Sequence, residues 1–216
     1  MFLAKKTLCV IFGCVVQASA TAPDPVITDH MVQDAVQRYG EDAHDRFLRW
    51  QQLIAEGTNQ SDWDRIHQVN QFFNRRVDYA TDLAHWGKVD YWASPIETLG
   101  TAKGDCEDYA IAKYVTLRAM GVADEKLRLM YVRAMSINQP HMVLIFFDKP
   151  DDYPYVLDNM DGQIKSALER RDLRPIYSFN ASGLWLAKSN GLGNRVNDGR
   201  NNSNWTSVLE KIERGQ

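Results

Sequence analysis

The stretch GTAKGDCEDYAIAK, from Gly100 to Lys113, places one cysteine among three acidic residues at the predicted start of a helix. Asp105 is a good N-cap residue, and the helix is expected to run to about Met120, where Gly121 ends it. Cys106 would then occupy the first helical position, where free N–H groups and the helix dipole lower the pKa of a thiol. This position is typical of a cysteine nucleophile, whereas the neighbouring carboxylates disfavour the thiolate.

The residues before this helix predict further helices, and those after it predict strands. Amphipathic patterns indicate two helices between Thr28 and Glu56, broken near Gly40, and a third in SDWDRIHQVNQFFNRRV. The segment DYWASPIETLGTAKGD is expected to be a long connection. The segments LRLMYVRA, HMVLIFFD and YPYVLDN predict strands, and a hairpin turn is expected at Asp161-Gly162. With a last short helix near Trp205 to Ile212, the order predicts an α+β fold in which helices pack on an antiparallel sheet.

The first twenty residues have the organisation of a signal peptide. Lys5 and Lys6 precede the apolar run TLCVIFGCVV, and QASA follows as an A-x-A site. The run is too short to span a bilayer comfortably, so we expect cleavage after Ala20 and a single domain over residues 21–216. An uncleaved anchor and a lipoprotein processed at Cys14 are the alternatives.

The amino-acid composition and the cysteine count limit the functions that the protein can have. Of the 216 residues, 44% are hydrophobic and 25% are charged, which is ordinary for a globular protein. The sequence contains no long block of like charge, so nothing in it indicates a nucleic-acid partner. After signal cleavage, Cys106 is the one cysteine left of three. The count alone leaves two interpretations open, because a lone thiol in an exported protein can be a nucleophile or a buried, inert cysteine.

A cysteine nucleophile needs a base and a group that orients the base. His141 begins the strand HMVLIFFD and Asp158 ends the next predicted strand, so two adjacent antiparallel strands would place them side by side. His30, His67 and His85 precede the sheet, and the sequence has no HExxH or paired Cys/His motif that would predict zinc. Each residue alone is more often structural, but their combination with a helix-start cysteine favours a Cys–His–Asp triad.

The segment VDYWASPIETLGTAKGDCEDYAIAKYVTLRAMGV, followed by HMVLIF and VLDN, resembles the bacterial transglutaminase-like cysteine proteinases over roughly residues 60–177. The resemblance implies a papain-like or transglutaminase-like core, with Cys106, His141 and Asp158 as the catalytic residues. It further implies a periplasmic endopeptidase that cleaves a large cell-surface adhesin near its N-terminus, at an Ala-Ala site, and thereby promotes biofilm dispersal. An inner-membrane receptor loaded with cyclic di-GMP is implied as the partner that sequesters the protease.

The acids beside the cysteine admit two interpretations. Acidic residues favour the first turn of any helix, and capping is the simpler account. Alternatively, carboxylates this close together repel one another unless a cation binds, and calcium prefers several carboxylate and carbonyl oxygens. The resemblance implies the second account, with Asp105 and Glu107 as calcium ligands and Asp108 as a third. We expect no small-molecule cofactor.

Three functions compete on this sequence: a cysteine endopeptidase, a transglutaminase-type acyl transferase that uses an amine in place of water, and a non-catalytic, calcium-dependent binding module. The first two share an acyl-enzyme on Cys106, and the intact Cys, His and Asp argue against the third. The backbone N–H of Cys106 is the expected oxyanion donor. Tyr91 and Trp92 are expected to pack in the core, with a role in the cleft wall or in the oxyanion hole as the alternative.

Overall fold

The structure, a computed structural model, describes residues 27–186, 193–197 and 202–216. The expected signal peptide at residues 1–20 and most of the Asn- and Gly-rich segment after Lys188 lie outside this part of the chain. Within the described ranges, every helix is too short or too polar to cross a membrane.

The described residues form seven α-helices and one 3₁₀ helix, Asp124–Lys126. The α-helices are α1 (Asp29–Tyr39), α2 (Glu41–Gly57), α3 (Asp62–Arg76), α4 (Asp82–Trp86), α5 (Pro95–Thr101), α6 (Cys106–Ala119) and α7 (Ser203–Glu213). The break predicted near Gly40 is confirmed, since this residue joins α1 to α2 with a φ of +83°. The end of α6 is also confirmed, because Gly121 follows it with a φ of +88°, in the left-handed region that favours glycine.

Nine strands lie in the same described ranges. They are β1 (Asp78–Tyr79), β2 (Lys103–Gly104), β3 (Leu127–Ala134), β4 (Gln139–Phe146), β5 (Tyr155–Leu157), β6 (Lys165–Ser166), β7 (Leu173–Asn180), β8 (Gly183–Leu186) and β9 (Arg195–Asn197). The first two form a short parallel pair, and the other seven form an antiparallel sheet in the order β6-β5-β4-β3-β7-β8-β9. The α+β fold class is therefore confirmed.

Helix α6 lies between the sheet and the other helices. It packs against β3 and β4 on one side and against α2, α3 and α5 on the other. Almost every side chain from Asp108 to Arg118 is consequently buried, and its apolar residues follow no single stripe. The packing of α6 on β4 places the first turn of the helix, which carries Cys106, beside this strand.

The expected long connection before α6 is wrong in part, because it contains α5. Ser94 and Glu97 form a reciprocal capping box, with Ser94 N–H donating to Glu97 at 2.8 Å and Glu97 N–H donating to Ser94 at 3.2 Å. Pro95 occupies the first turn, where its missing N–H costs nothing. The helix was missed because it spans only seven residues, too few for a periodic pattern.

The expected hairpin at Asp161-Gly162 is confirmed, because β5 and β6 are antiparallel neighbours, but its connection is longer than a two-residue turn. The connection from β5 to β6 runs from residue 158 to residue 164, and both residues lie inside it. Asn70 and Asn74 of α3 donate hydrogen bonds to the carbonyl oxygens of Gly162 and Asp158, at 3.0 and 2.7 Å. Contacts with α3 therefore shape this loop. Strands β7, β8 and β9 were missed as well.

Candidate active site

Cys106 is the first residue of α6, and Asp105 occupies the N-cap position before it, as expected. The backbone N–H of Met142 on β4 is near enough to the Cys106 sulfur to oppose, in part, the raised pKa of the thiol. Because Met142 follows His141 directly, this contact places the sulfur against the part of β4 that carries the imidazole. The packing of α6 on β4 thus joins two candidate residues that are distant in the sequence.

His141 and Asp158 are in direct contact. Nε2 of His141 lies 2.8 Å from Oδ1 of Asp158, and the two residues are 3% and 1% exposed. An ionised carboxylate only accepts hydrogen bonds, so Nε2 carries the proton and Nδ1 of the neutral ring is the free base. His141 is the third residue of β4 and Asp158 follows the last residue of β5, so their contact forms where these neighbouring strands diverge.

Arg170 is the third buried member of this group, and sequence reasoning missed it. Its Nη2 donates to Oδ2 of Asp158 at 2.7 Å, and Arg170 itself is 5% exposed. Burial raises the pKa of Asp158, but hydrogen bonds from His141, Met160 N–H and Arg170 and the attraction of His141 outweigh burial, so this pKa is lowered to about 2. Asp158 is therefore ionised throughout the physiological pH range.

Five carboxylates cluster around the start of α6. Oxygens of Asp82, Asp105 and Asp108 lie within 4.8 Å of one another, and so do oxygens of Asp82, Asp90 and Glu107. Asp82 and Asp90 were missed because they lie in and after α4, a short helix with no sequence signal of its own. The structure thus enlarges the predicted acidic group from three residues to five.

The electrostatics of this cluster fit a cation. Burial, followed by repulsion from Glu107, Asp108 and Asp82, raises the pKa of Asp105 to about 9. Burial also raises the pKa of Asp82. Oδ1 of Asp82 and Oδ1 of Asp105 are buried and receive no hydrogen bond from any described residue. Carboxylate oxygens that lack partners and repel one another are the donor set that calcium prefers.

Asp108 differs from the other acids because both of its oxygens accept backbone hydrogen bonds. Oδ1 accepts from Ala93 N–H at 2.7 Å, and Oδ2 accepts from Asp105 N–H at 3.2 Å. Burial raises its pKa to about 8, although these two bonds oppose the effect. A Cβ on Gly104 would stand 2.8 Å from the Cβ of Asp108, so glycine is required for this close approach. Asp108 holds the preceding loop to α6.

The thiol itself is kept protonated in this arrangement. Sγ of Cys106 donates a hydrogen bond to Oε2 of Glu107 at 2.9 Å. Burial, followed by the charge and the hydrogen bond of Glu107, raises the pKa of the Cys106 thiol well above its usual range. The adjacent acids therefore oppose the thiolate, and the helix start alone does not overcome them.

Of the two aromatic residues of the connecting loop, Trp92 packs in the core, as expected, whereas Tyr91 is half-buried outside it. Trp92 stacks on Phe179, with ring centroids 5.8 Å apart, and its Nε1 donates to Asp90 at 3.0 Å. The hydroxyl of Tyr91 donates to Glu97 at 2.6 Å. Helix α7 covers this loop, because Lys211 donates to the carbonyl oxygen of Trp92 at 2.9 Å.

A helix-start thiol beside a His–Asp pair on an antiparallel sheet defines the papain-like and transglutaminase-like class of cysteine enzymes. Residues 41–173 match the model of one family in this class, described as bacterial transglutaminase-like cysteine proteinases. The chain belongs to this family and is a cysteine protease. Its family membership argues against the non-catalytic binding module.

Solved structures of LapG from Legionella pneumophila are similar to this protein. The EGTA-treated form is 39% identical, with 87% of this chain and 99% of that chain covered and a TM-score of 0.76. The calcium-bound form is 38% identical, with 86% and 99% covered and a TM-score of 0.74. A comparison with curated proteins finds no match.

Proposed function

We propose that the protein is a calcium-dependent periplasmic cysteine endopeptidase with Cys106, His141 and Asp158 as its catalytic triad. The observation that carries the proposal is the 2.8 Å contact between Nε2 of His141 and Oδ1 of Asp158, because it leaves Nδ1 as the base for the thiol. The lone cysteine of the described residues lies at the helix start beside the same strand.

The proposed reaction proceeds through an acyl-enzyme. Sγ of Cys106 forms a bond to the scissile carbonyl carbon while its proton passes to Nδ1 of His141. The backbone N–H of Cys106 stabilises the resulting oxyanion. The imidazolium then returns this proton to the leaving amine as the peptide bond breaks. A water molecule, deprotonated by His141, hydrolyses the thioester and restores the thiol. Asp158 holds the imidazole and stabilises its positive charge.

The residues that would hold calcium are the predicted Asp105, Glu107 and Asp108 together with Asp82, with Asp90 at the exposed edge of the cluster. A bound calcium ion supplies positive charge that offsets the repulsion between these carboxylates. Glu107 is both a candidate ligand and the hydrogen-bond acceptor of the thiol. Its engagement as a ligand would remove the negative charge that keeps Cys106 protonated. Legionella LapG, solved in a calcium-bound form, supports this proposal.

Substrate, partner and location rest on the family resemblance. We propose a large cell-surface adhesin as the protein substrate, cleaved near its N-terminus with biofilm dispersal as the consequence. An inner-membrane receptor loaded with cyclic di-GMP is the proposed sequestering partner. Export with cleavage after Ala20 would bring the protease to the periplasm, where it would meet both.

Incubation of residues 21–216 with N-terminal adhesin fragments, followed by mass spectrometry of the products, tests this function. We expect one internal cleavage that requires calcium and is lost in Cys106→Ala. Carrying out the reaction in ¹⁸O-labelled water with an added primary amine separates the two remaining chemistries. Hydrolysis places the label in the new carboxyl group, whereas acyl transfer places the amine there. Cleavage by a folded Cys106→Ala variant would refute the assignment.

A further inference from the structure

Four charged groups surround Asp158, and they come from three parts of the fold: β4, α6 and the turn between β6 and β7. His141 on β4 bonds Oδ1, and Arg170 in the turn before β7 bonds Oδ2 at 2.7 Å. Lys113 on α6 is completely buried and attracts Asp158 electrostatically. Asp172 lies behind Arg170 and accepts from its Nε at 3.0 Å and its Nη2 at 2.8 Å. Of Arg170 and Lys113, Arg170 is the residue that donates a hydrogen bond to Asp158, and it does so to Oδ2, the oxygen that His141 does not contact.

The geometry of these bonds limits how the carboxylate can turn. A carboxylate held through one oxygen can rotate about its own axis, which would swing Oδ1 away from the imidazole. A second bond to Oδ2, from a planar guanidinium, fixes the orientation of the group. Arg170 is itself held because Asp172 takes two of its N–H groups. The orientation of Asp158 is therefore set from outside the predicted triad.

We propose that Arg170 is a positioning residue of this protease, which holds Oδ2 of Asp158 so that Oδ1 stays on Nε2 of His141. In this arrangement Nδ1 of His141 remains free to accept the proton of Cys106. The inference rests on the proposed triad and adds a fourth residue to it. Arg170 touches neither the thiol nor the imidazole, and it acts through Asp158.

The proposal has a pH signature whose sign follows from the contacts. The hydrogen bond from Arg170 is one of the interactions that lower the pKa of Asp158 to about 2. Loss of this bond raises the pKa of Asp158, since His141 and Lys113 remain but the direct bond to Oδ2 is gone. Protonated Asp158 no longer holds the imidazolium, so the acid-side decline of thiol reactivity moves to higher pH. A purely structural role for Arg170 would leave that midpoint unchanged.

The rate of Cys106 alkylation by iodoacetamide, measured from pH 4 to pH 9 in the presence of calcium, tests the proposal without any protein substrate. Mass spectrometry of the peptide that contains Cys106 reports the rate. We expect Arg170→Met to lower the rate at neutral pH by roughly 10- to 100-fold, the size of a lost hydrogen bond to a charged group. Its acid-side midpoint should rise. Arg170→Lys should restore part of both effects.

Arg171→Met is the matched control, because Arg171 is the exposed neighbour of Arg170 and should leave the curve unchanged. If Arg170→Met reproduces the wild-type midpoint while His141→Ala differs from wild type, the inference is overturned. If His141→Ala also reproduces the wild-type curve, the proposed triad itself fails. Should circular dichroism show that Arg170→Met does not fold, Asp172→Asn takes its place. We then expect a smaller shift of the midpoint in the same direction, and no shift overturns the inference.

Discussion

Replacement of Lys113 by methionine is expected to stabilise the protein in a strongly pH-dependent way. Lys113 lies on α6, two helical turns after Cys106, with 0% of its surface exposed. Its Nζ has no hydrogen-bond partner among the residues that the structure describes. Burial lowers its pKa from 10.5 to about 7, although the attraction of Asp158 partly opposes the effect.

The size of the expected change in the free energy of unfolding follows from the lowered pKa of Lys113. Between about pH 7 and pH 10.5 the unfolded chain binds a proton that the folded protein does not, so the free energy of unfolding rises with pH. The slope is about 1.4 kcal/mol per pH unit, which over the whole interval amounts to about 5 kcal/mol. Below pH 7 lysine is charged in both states, and the destabilisation is at its full value. Methionine has a similar length and removes this contribution.

Urea unfolding of wild type and Lys113→Met at pH 7, 8 and 9 measures the effect. We expect the advantage of the variant to shrink by about 2 kcal/mol between pH 7 and pH 9. The exposed Lys149 supplies the control, since Lys149→Met should follow the wild-type slope at every pH. Parallel curves for wild type and Lys113→Met would show that Lys113 titrates in the folded protein as it does in water, and would refute the reasoning.

Three further predictions concern the proposed site. Cys106→Ala should abolish proteolysis while its circular dichroism spectrum stays native, and His141→Ala should lower kcat by several orders of magnitude. The double variant should be little less active than Cys106→Ala, because the two residues act as a unit. EGTA should inactivate the wild-type protease and calcium should restore it, with magnesium a poor substitute because of its stricter octahedral geometry; full activity in EGTA would exclude the metal requirement. Asp82→Asn and Glu107→Gln should each weaken calcium binding in isothermal titration calorimetry, whereas a role limited to the helix start predicts unchanged affinity.

The helices and strands that were predicted correctly carry their signal in consecutive residues. Helix α6 was located from an N-cap acid, a continuous helical run and a terminal glycine, and α1 to α3 from apolar periodicity. The strands β3 and β4 were evident from branched and aromatic residues. Elements of two to seven residues, such as α4, α5 and β6, were missed because so short a segment shows no period. The longer β7 was missed too.

The same distinction between local and distant residues separates the site residues that could be predicted from those that could not. Consecutive residues are enough to predict a cysteine at a helix start, acids around it, and a histidine and an aspartate at the ends of successive strands. The folded arrangement of distant segments brings Asp82 and Asp90 into the acidic cluster and Arg170 into contact with Asp158. These residues come from loops and short elements whose paths are set by packing against α6 and the sheet. A pattern along the chain records local conformation, whereas the approach of distant side chains depends on the buried contacts of the whole fold.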